Sequence, residues 1–117
     1  MYYFSDTLPE RAIDTIEKIF RTSFNVSIIT KIEFLGWGKH TDEGFKKARK
    51  FIGFAEVIPL TNEIADLTIN IKRKRKIMLP DAVIAATALK NDLILVTRNE
   101  DDFKDVQGLE IYNPFNE

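Results

Sequence analysis

Cysteine is absent from the 117 residues, and histidine occurs once, at His40. The first absence excludes a disulfide scaffold, a thiolate zinc site and a thiol nucleophile. The second excludes a metal site built on several imidazoles. Four prolines and five glycines form no linker or low-complexity tract. With no internal repeat either, 1–117 reads as one domain. No apolar run reaches the roughly 18 residues that cross a bilayer, and no signal peptide is visible at Met1. Neither sign of charge dominates: 17 Lys+Arg against 18 Asp+Glu leave −1. That argues against a uniformly basic coat for nucleic acid and leaves local patches open. The expectation is a soluble, cytoplasmic chain without membrane contact. Its 44% hydrophobic content argues against disorder.

Along the chain, apolar spacing alternates between the strand and helix periods. Residues 1–5 are apolar and aromatic, and fit either a strand or the tail of a helix. Thr7-Leu8-Pro9-Glu10 matches a capping box ahead of an amphipathic helix over 8–21. Phe24 to Ile29 is β-branched and aromatic, which predicts a strand. Thr30 to Trp37 reads as a short helix ended by Gly38. Thr41 can cap a third helix with Phe45, Ala48 and Ile52 on one face. Glu56 to Leu60 is a short strand. Thr61 then caps a helix with Ile64, Ala65, Thr68 and Ile71 inward, running into the cations Lys72 to Lys76. Pro80 starts a helix over 81–90, with Asn91 as a left-handed cap. Leu93 to Val96 is an unbroken apolar run, the pattern of a strand covered on both faces. A last strand spans Leu109 to Tyr112. Alternating strands and helices imply an α/β fold with a short parallel sheet between helical layers, and a site beyond the carboxyl ends of the strands.

Polar residues gather at those predicted ends. Glu33 follows the strand at 24–29, Asp81 opens an otherwise apolar helix, and Thr97-Arg98-Asn99 ends the run at 93–96. Asp102 comes within one turn. Each has an ordinary reading: Asp81 at the positive end of a helix dipole, Asn99 as a turn former, Glu100 to Asp102 as a solvated loop. Together they suit a hard divalent cation. Converging carboxylates repel one another and are costly to desolvate, and Mg²⁺ or Mn²⁺ relieves both with oxygen ligands. Such an ion can activate water and stabilise charge on a phosphodiester.

These same residues carry a resemblance. Leu79 to Ala88 (LPDAVIAATA), Leu95 to Phe103 (LVTRNEDDF) and Gly108 to Phe115 (GLEIYNPF) resemble the C-terminal half of PIN-domain proteins. The nearest group is the VapC-like toxins of toxin–antitoxin pairs. Ser27 to Leu35 (SIITKIEFL) is similar to the family motif that carries its Glu. The resemblance implies a PIN-like three-layer sandwich and a metal-dependent endoribonuclease inhibited by a small antitoxin, with a homodimer as its assembly. It implies Glu33, Asp81, Asn99 and Asp102 as catalytic residues, and Glu33, Asp81 and Asp102 as ligands to Mg²⁺ or Mn²⁺. Thr97 would be a polar supporter.

The opening departs from the family, which begins with a strand ending in Asp-Thr-Asn. In one register, MYYFS is that strand and Asp6-Thr7 a degraded motif. In the other, which the helix start at 7–10 favours, the first strand is missing and YYF ends a helix. The chain would then be an N-terminally shortened PIN-like domain. Losing a central strand would leave it unstable, swapped with a partner, or patched by residues 1–5. A silent PIN-like module that binds a partner or dimerises is therefore the alternative to an enzyme. An unrelated α/β protein with solvated acids is the third reading.

Three further features have their own expectations. Lys72 to Lys76 fits a solvated helix end or a contact to RNA phosphates. Trp37 reads as core and His40 as surface. Phe51 and Phe54 fit either helix packing or a dimer face.

Overall fold

The structure, a computed structural model, describes residues 2–4 by their backbone and residues 23–113 in full. The expected helix over 8–21, its capping box and Asp6 lie outside the described residues, as does the end of the last motif beyond Asn113.

Five strands form one parallel sheet: β1 (Tyr2–Phe4), β2 (Phe24–Ser27), β3 (Glu56–Ile58), β4 (Ile94–Val96) and β5 (Ile111–Tyr112), in the order β3-β2-β1-β4-β5. The central place belongs to β1. Tyr2 stands opposite both Phe24 and Ile94, and Phe4 opposite Val96. The sheet therefore does not lack its first strand, and YYF does not end a helix. Those two expectations are overturned; the register in which the opening residues are themselves the first strand is the one that forms. Backbone groups of β2 and β4 that would otherwise face water are paired, which is the physical reason.

β2 stops two residues short of the apolar run. Ser27 is extended (φ −74°, ψ 158°), and its hydroxyl oxygen accepts the Thr30 N–H at 2.9 Å. Capping overrides the β preference of Ile28 and Ile29, so α1 occupies Ile28–Leu35, not 30–37. It ends at Gly36, not Gly38. The Gly36 N–H donates to the Ile32 carbonyl at 2.7 Å, and a Cβ there would stand 2.6 Å from that oxygen.

Thr41 caps α2 (Asp42–Ile52) through the Gly44 N–H, and Thr61 caps α3 (Asn62–Lys74) through the Ile64 N–H, as their spacing predicts. The helix α4 (Leu79–Lys90) buries Ala82 to Ala88 without a break. A helix apolar on every side belongs in the interior. It packs on α3, α1, β2, β4 and α5 (Glu100–Phe103). Asn91 is not left-handed: its φ is −100°, its amide donates to the Thr87 carbonyl at 2.8 Å, and Asp92 takes the positive φ of 54°.

Adjacent residues of β4 face opposite ways. Leu95 joins a core with Ile64, Ile71, Ile84 and Phe103, and Val96 one with Val26, Phe34, Phe51 and Ile52. The sheet is thus covered on both faces, as the run at 93–96 predicts. Phe51 is core and Phe54 is 74% exposed, whereas Trp37, expected inside, is 46% exposed. His40 is half-buried, not a plain surface residue. Its ring meets Phe34, Trp37 and Phe45 edge-on, and Nε2–H donates to the Phe34 carbonyl at 2.8 Å. That bond ties the loop after α1 back to the helix.

Lys90 and Glu63 join the end of α4 to the start of α3 at 2.6 Å. Hydrogen bonding and attraction from that ammonium hold the Glu63 carboxyl below its ordinary value. Any stability from the pair is present near neutrality and fades as pH falls through the lowered carboxylate range. Among the described residues, no helix is long and apolar enough to cross a membrane.

Gly36→Ala is expected to destabilise the chain by about 1–3 kcal/mol through backbone overlap with Ile32. Gly38→Ala, with open space around it, should change stability by less than about 0.5 kcal/mol. Urea unfolding of the two variants checks the contrast, and equal losses would refute the assignment of Gly36 as the helix stop.

Candidate functional site

All five strands run the same way, so their carboxyl ends share one edge. α1 leaves that edge directly from β2, and carries Glu33 on its second turn, exposed. Asn99 and Asp102 leave it from β4. Asn99 precedes the single turn of α5, and Asp102 lies within it; both are exposed.

Asp81 reaches the same side by another route. The short connection Asn91–Leu93 fixes the end of α4 to the amino end of β4. α4 also touches α1 and α5, which both start at the carboxyl edge. Its first turn, with Asp81 half-buried, therefore points to that edge. An Asp there complements the positive end of the helix dipole.

The structure thus brings together the three helices that carry Glu33, Asp81, Asn99 and Asp102. It does not bring their carboxylates into a finished cage. Among the described residues no three His, Asp or Glu side chains form a group that could hold a metal ion. The donors are all oxygen, the chemistry that Mg²⁺ and Mn²⁺ take, and Mg²⁺ commonly uses one or two carboxylates with waters and substrate phosphate. The edge is not purely acidic, since Arg98 stands between Thr97 and Asn99, exposed.

Thr97 is the fixed point of this edge. It is buried, its N–H donates to the Tyr112 carbonyl at 3.1 Å, and its hydroxyl oxygen accepts the Asn99 N–H at 3.0 Å. The Asn99 side chain makes no capping bond to α5.

Two polar ties escaped the sequence reading. Glu100 is no solvated loop residue: it is half-buried and its Oε2 accepts from the Asn113 amide at 3.3 Å. Ser27 and Thr30 are buried as a hydroxyl pair 3.2 Å apart where β2 passes into α1. The Ser27-x-x-Thr30 spacing was a readable capping signal, masked by the apolar pair between them.

Comparisons with known proteins bear on this edge. The family model for the PIN domain matches residues 1–109. The fold is similar to a chain of a toxin–antitoxin complex from Klebsiella pneumoniae, at a TM-score of 0.78 and 24% identity over 97% of each chain. It is similar to a chain of DNA-bound VapBC from Salmonella typhimurium, at 0.77 and 21% identity over 95% of this chain and 96% of that one. FitAcB from Neisseria gonorrhoeae matches at 0.74 and 17% identity over 100% of both chains. No curated protein matches the sequence.

Thr97→Val removes a buried acceptor and orphans the Asn99 N–H, so it should cost about 1–3 kcal/mol. Thr97→Ser keeps the hydroxyl and should recover most of that loss. Thermal melts of both variants decide the matter: a valine variant as stable as the native chain would remove Thr97 from its anchoring role.

Proposed function

This chain belongs to the PIN-domain family, and from that premise we propose that it is the toxin of a toxin–antitoxin pair, an endoribonuclease that uses Mg²⁺ or Mn²⁺. The observation that carries the reading is the meeting of α1, α4 and α5 around one edge, each bringing an acid or amide. Glu33 and Asp81 supply the carboxylate oxygens that hold the ion, with Asp102 as a further acid. When bound, the metal activates a water and stabilises charge that develops on the phosphodiester.

The protein's own part is positional. α4 is buried from Ala82 to Ala88, so Asp81 sits on a rigid support. Thr97 fixes the backbone at Asn99, and the Asn99 side-chain amide can donate to a phosphate oxygen. Arg98 offers a second, charged donor beside it. RNA is the substrate that the family resemblance implies; a small antitoxin protein is the partner, a reading supported by similar folds in toxin–antitoxin complexes. A homodimer fits the exposed apolar residues Ile32 on α1 and Leu79 on α4, two helices that pack together.

One observation favours the second reading, a catalytically silent module that binds a partner. Without an acidic triad among the described residues, the ion must draw on waters and substrate. A single experiment separates the two. Purified chain with millimolar Mn²⁺ should cleave single-stranded RNA. Asp81→Asn and Glu33→Gln should each lower the rate about 100-fold or more. Mn²⁺ should also raise the melting temperature of the native chain and not that of Asp81→Asn. No cleavage by the native chain, with a melt indifferent to Mn²⁺, would leave the silent module.

A further inference from the structure

The cations at 72–76 do not all face water. α3 ends at Lys74, and Arg75 caps it with its N–H on the Ile71 carbonyl. Lys72 folds over to donate to the Ile77 carbonyl at 2.8 Å. Arg75 turns inward, half-buried, and its Nε is shielded from solvent with no hydrogen-bond partner among the described residues.

Arg75 also lines a groove of about 180 Å³ between α3, the end of α4 and the turn after α5. Leu67, Ile71, Leu89 and Val106 form its apolar lining, and Asn70, Lys74 and Gln107 complete its polar part with Arg75. The volume falls short of the roughly 300 Å³ at which sites for drug-sized ligands begin. It suits a single side chain.

We propose that this groove seats a glutamate side chain from a protein partner. Its carboxylate meets the Arg75 guanidinium and the Lys74 ammonium; its methylenes lie on Leu67, Ile71 and Leu89. The outer N–H groups of the Arg75 guanidinium, together with the Lys74 ammonium, can give a carboxylate charge-assisted bonds. The amides of Asn70 and Gln107 can pair with the N–H and C=O of the flanking peptide. The apolar lining selects this occupant over a nucleic-acid phosphate. A phosphodiester is flanked by polar ribose, which the apolar lining does not suit, and the exposed Arg73 and Lys76 would reach a backbone phosphate before the recessed Arg75. The groove also stands apart from the carboxyl edge: Leu89 lies eight residues beyond Asp81, about 12 Å along α4. Occupation here leaves that edge open, so the inference stands whether or not the chain is a nuclease.

The test is an NMR titration of the full chain with N-acetyl-Leu-Glu-Leu-amide and with its Gln counterpart. The Glu peptide should shift the amide resonances of Leu67, Ile71, Leu89 and Val106, and bind about tenfold more tightly than the Gln peptide. Arg75→Gln should reduce that preference below about twofold, with the melting temperature unchanged or raised, since it deletes an orphaned donor. Arg75→Lys, which keeps the charge without the planar guanidinium fork, should lose most of the preference too. Equal binding of the two peptides overturns the proposal, as does native-like binding by the lysine variant. So does a single-stranded RNA octamer or inorganic phosphate that shifts the same resonances and displaces the Glu peptide. A fall in Mn²⁺-dependent RNA cleavage in Arg75→Gln would likewise assign the groove to substrate.

Discussion

The backbone pairing of Tyr2–Phe4 holds the two halves of the sheet together. β3 and β2 form one half, β4 and β5 the other, and in the described sheet β1 pairs with both. Tyr2 and Tyr3 stand opposite partners on both sides, so one short strand completes both β2 and β4. Remove it, and two inner edges become open ladders of N–H and C=O groups, each a template for another chain. The carboxyl edge depends on the same pairing, because α1 and α5 are carried by β2 and β4.

Onto that frame the buried helix α4 is laid as a common wall. It touches α1, α3, α5 and two strands at once, and its run of alanines allows close approach. One end carries Asp81 and the other Leu89, so a single rigid rod separates the acidic edge from the basic groove. Only the first of these is expected of the family. The groove follows from how the cationic end of α3 folds back against the turn after α5.

Much of the fold was legible because local and tertiary signals agree. Leu95 and Val96 read as doubly covered, and each sits in a different core. Thr41 and Thr61 read as caps, and each hydroxyl accepts the expected N–H. Legibility failed where two local signals compete. Ile28 and Ile29 prefer strand, yet Ser27 closes the strand before them. Gly38 looked like a helix stop beside Gly36, and only the Ile32 carbonyl distinguishes the two. Trp37 and His40 exchanged places because loop packing, not periodicity, decides which ring is sheltered. Of the site, the positions of Glu33, Asp81, Asn99 and Asp102 relative to strand ends could be read. Their carboxylates' separation could not, since it depends on how far α4 leans over the sheet. The buried Nε of Arg75 was illegible too: in sequence it is one of five like charges.

The order of β1 in the chain has a bearing on how the molecule comes into being. Tyr2 must wait for Ile94, about ninety residues later, before its second ladder can form, a contact of high sequence separation. A nascent chain on the ribosome can assemble β2 and β3 with their helices early. It must carry an unfinished central ribbon until β4 has been synthesised. Slow closure and a window for chaperones, or for exchange of that ribbon with a neighbouring copy, are the kinetic cost of putting the keystone first.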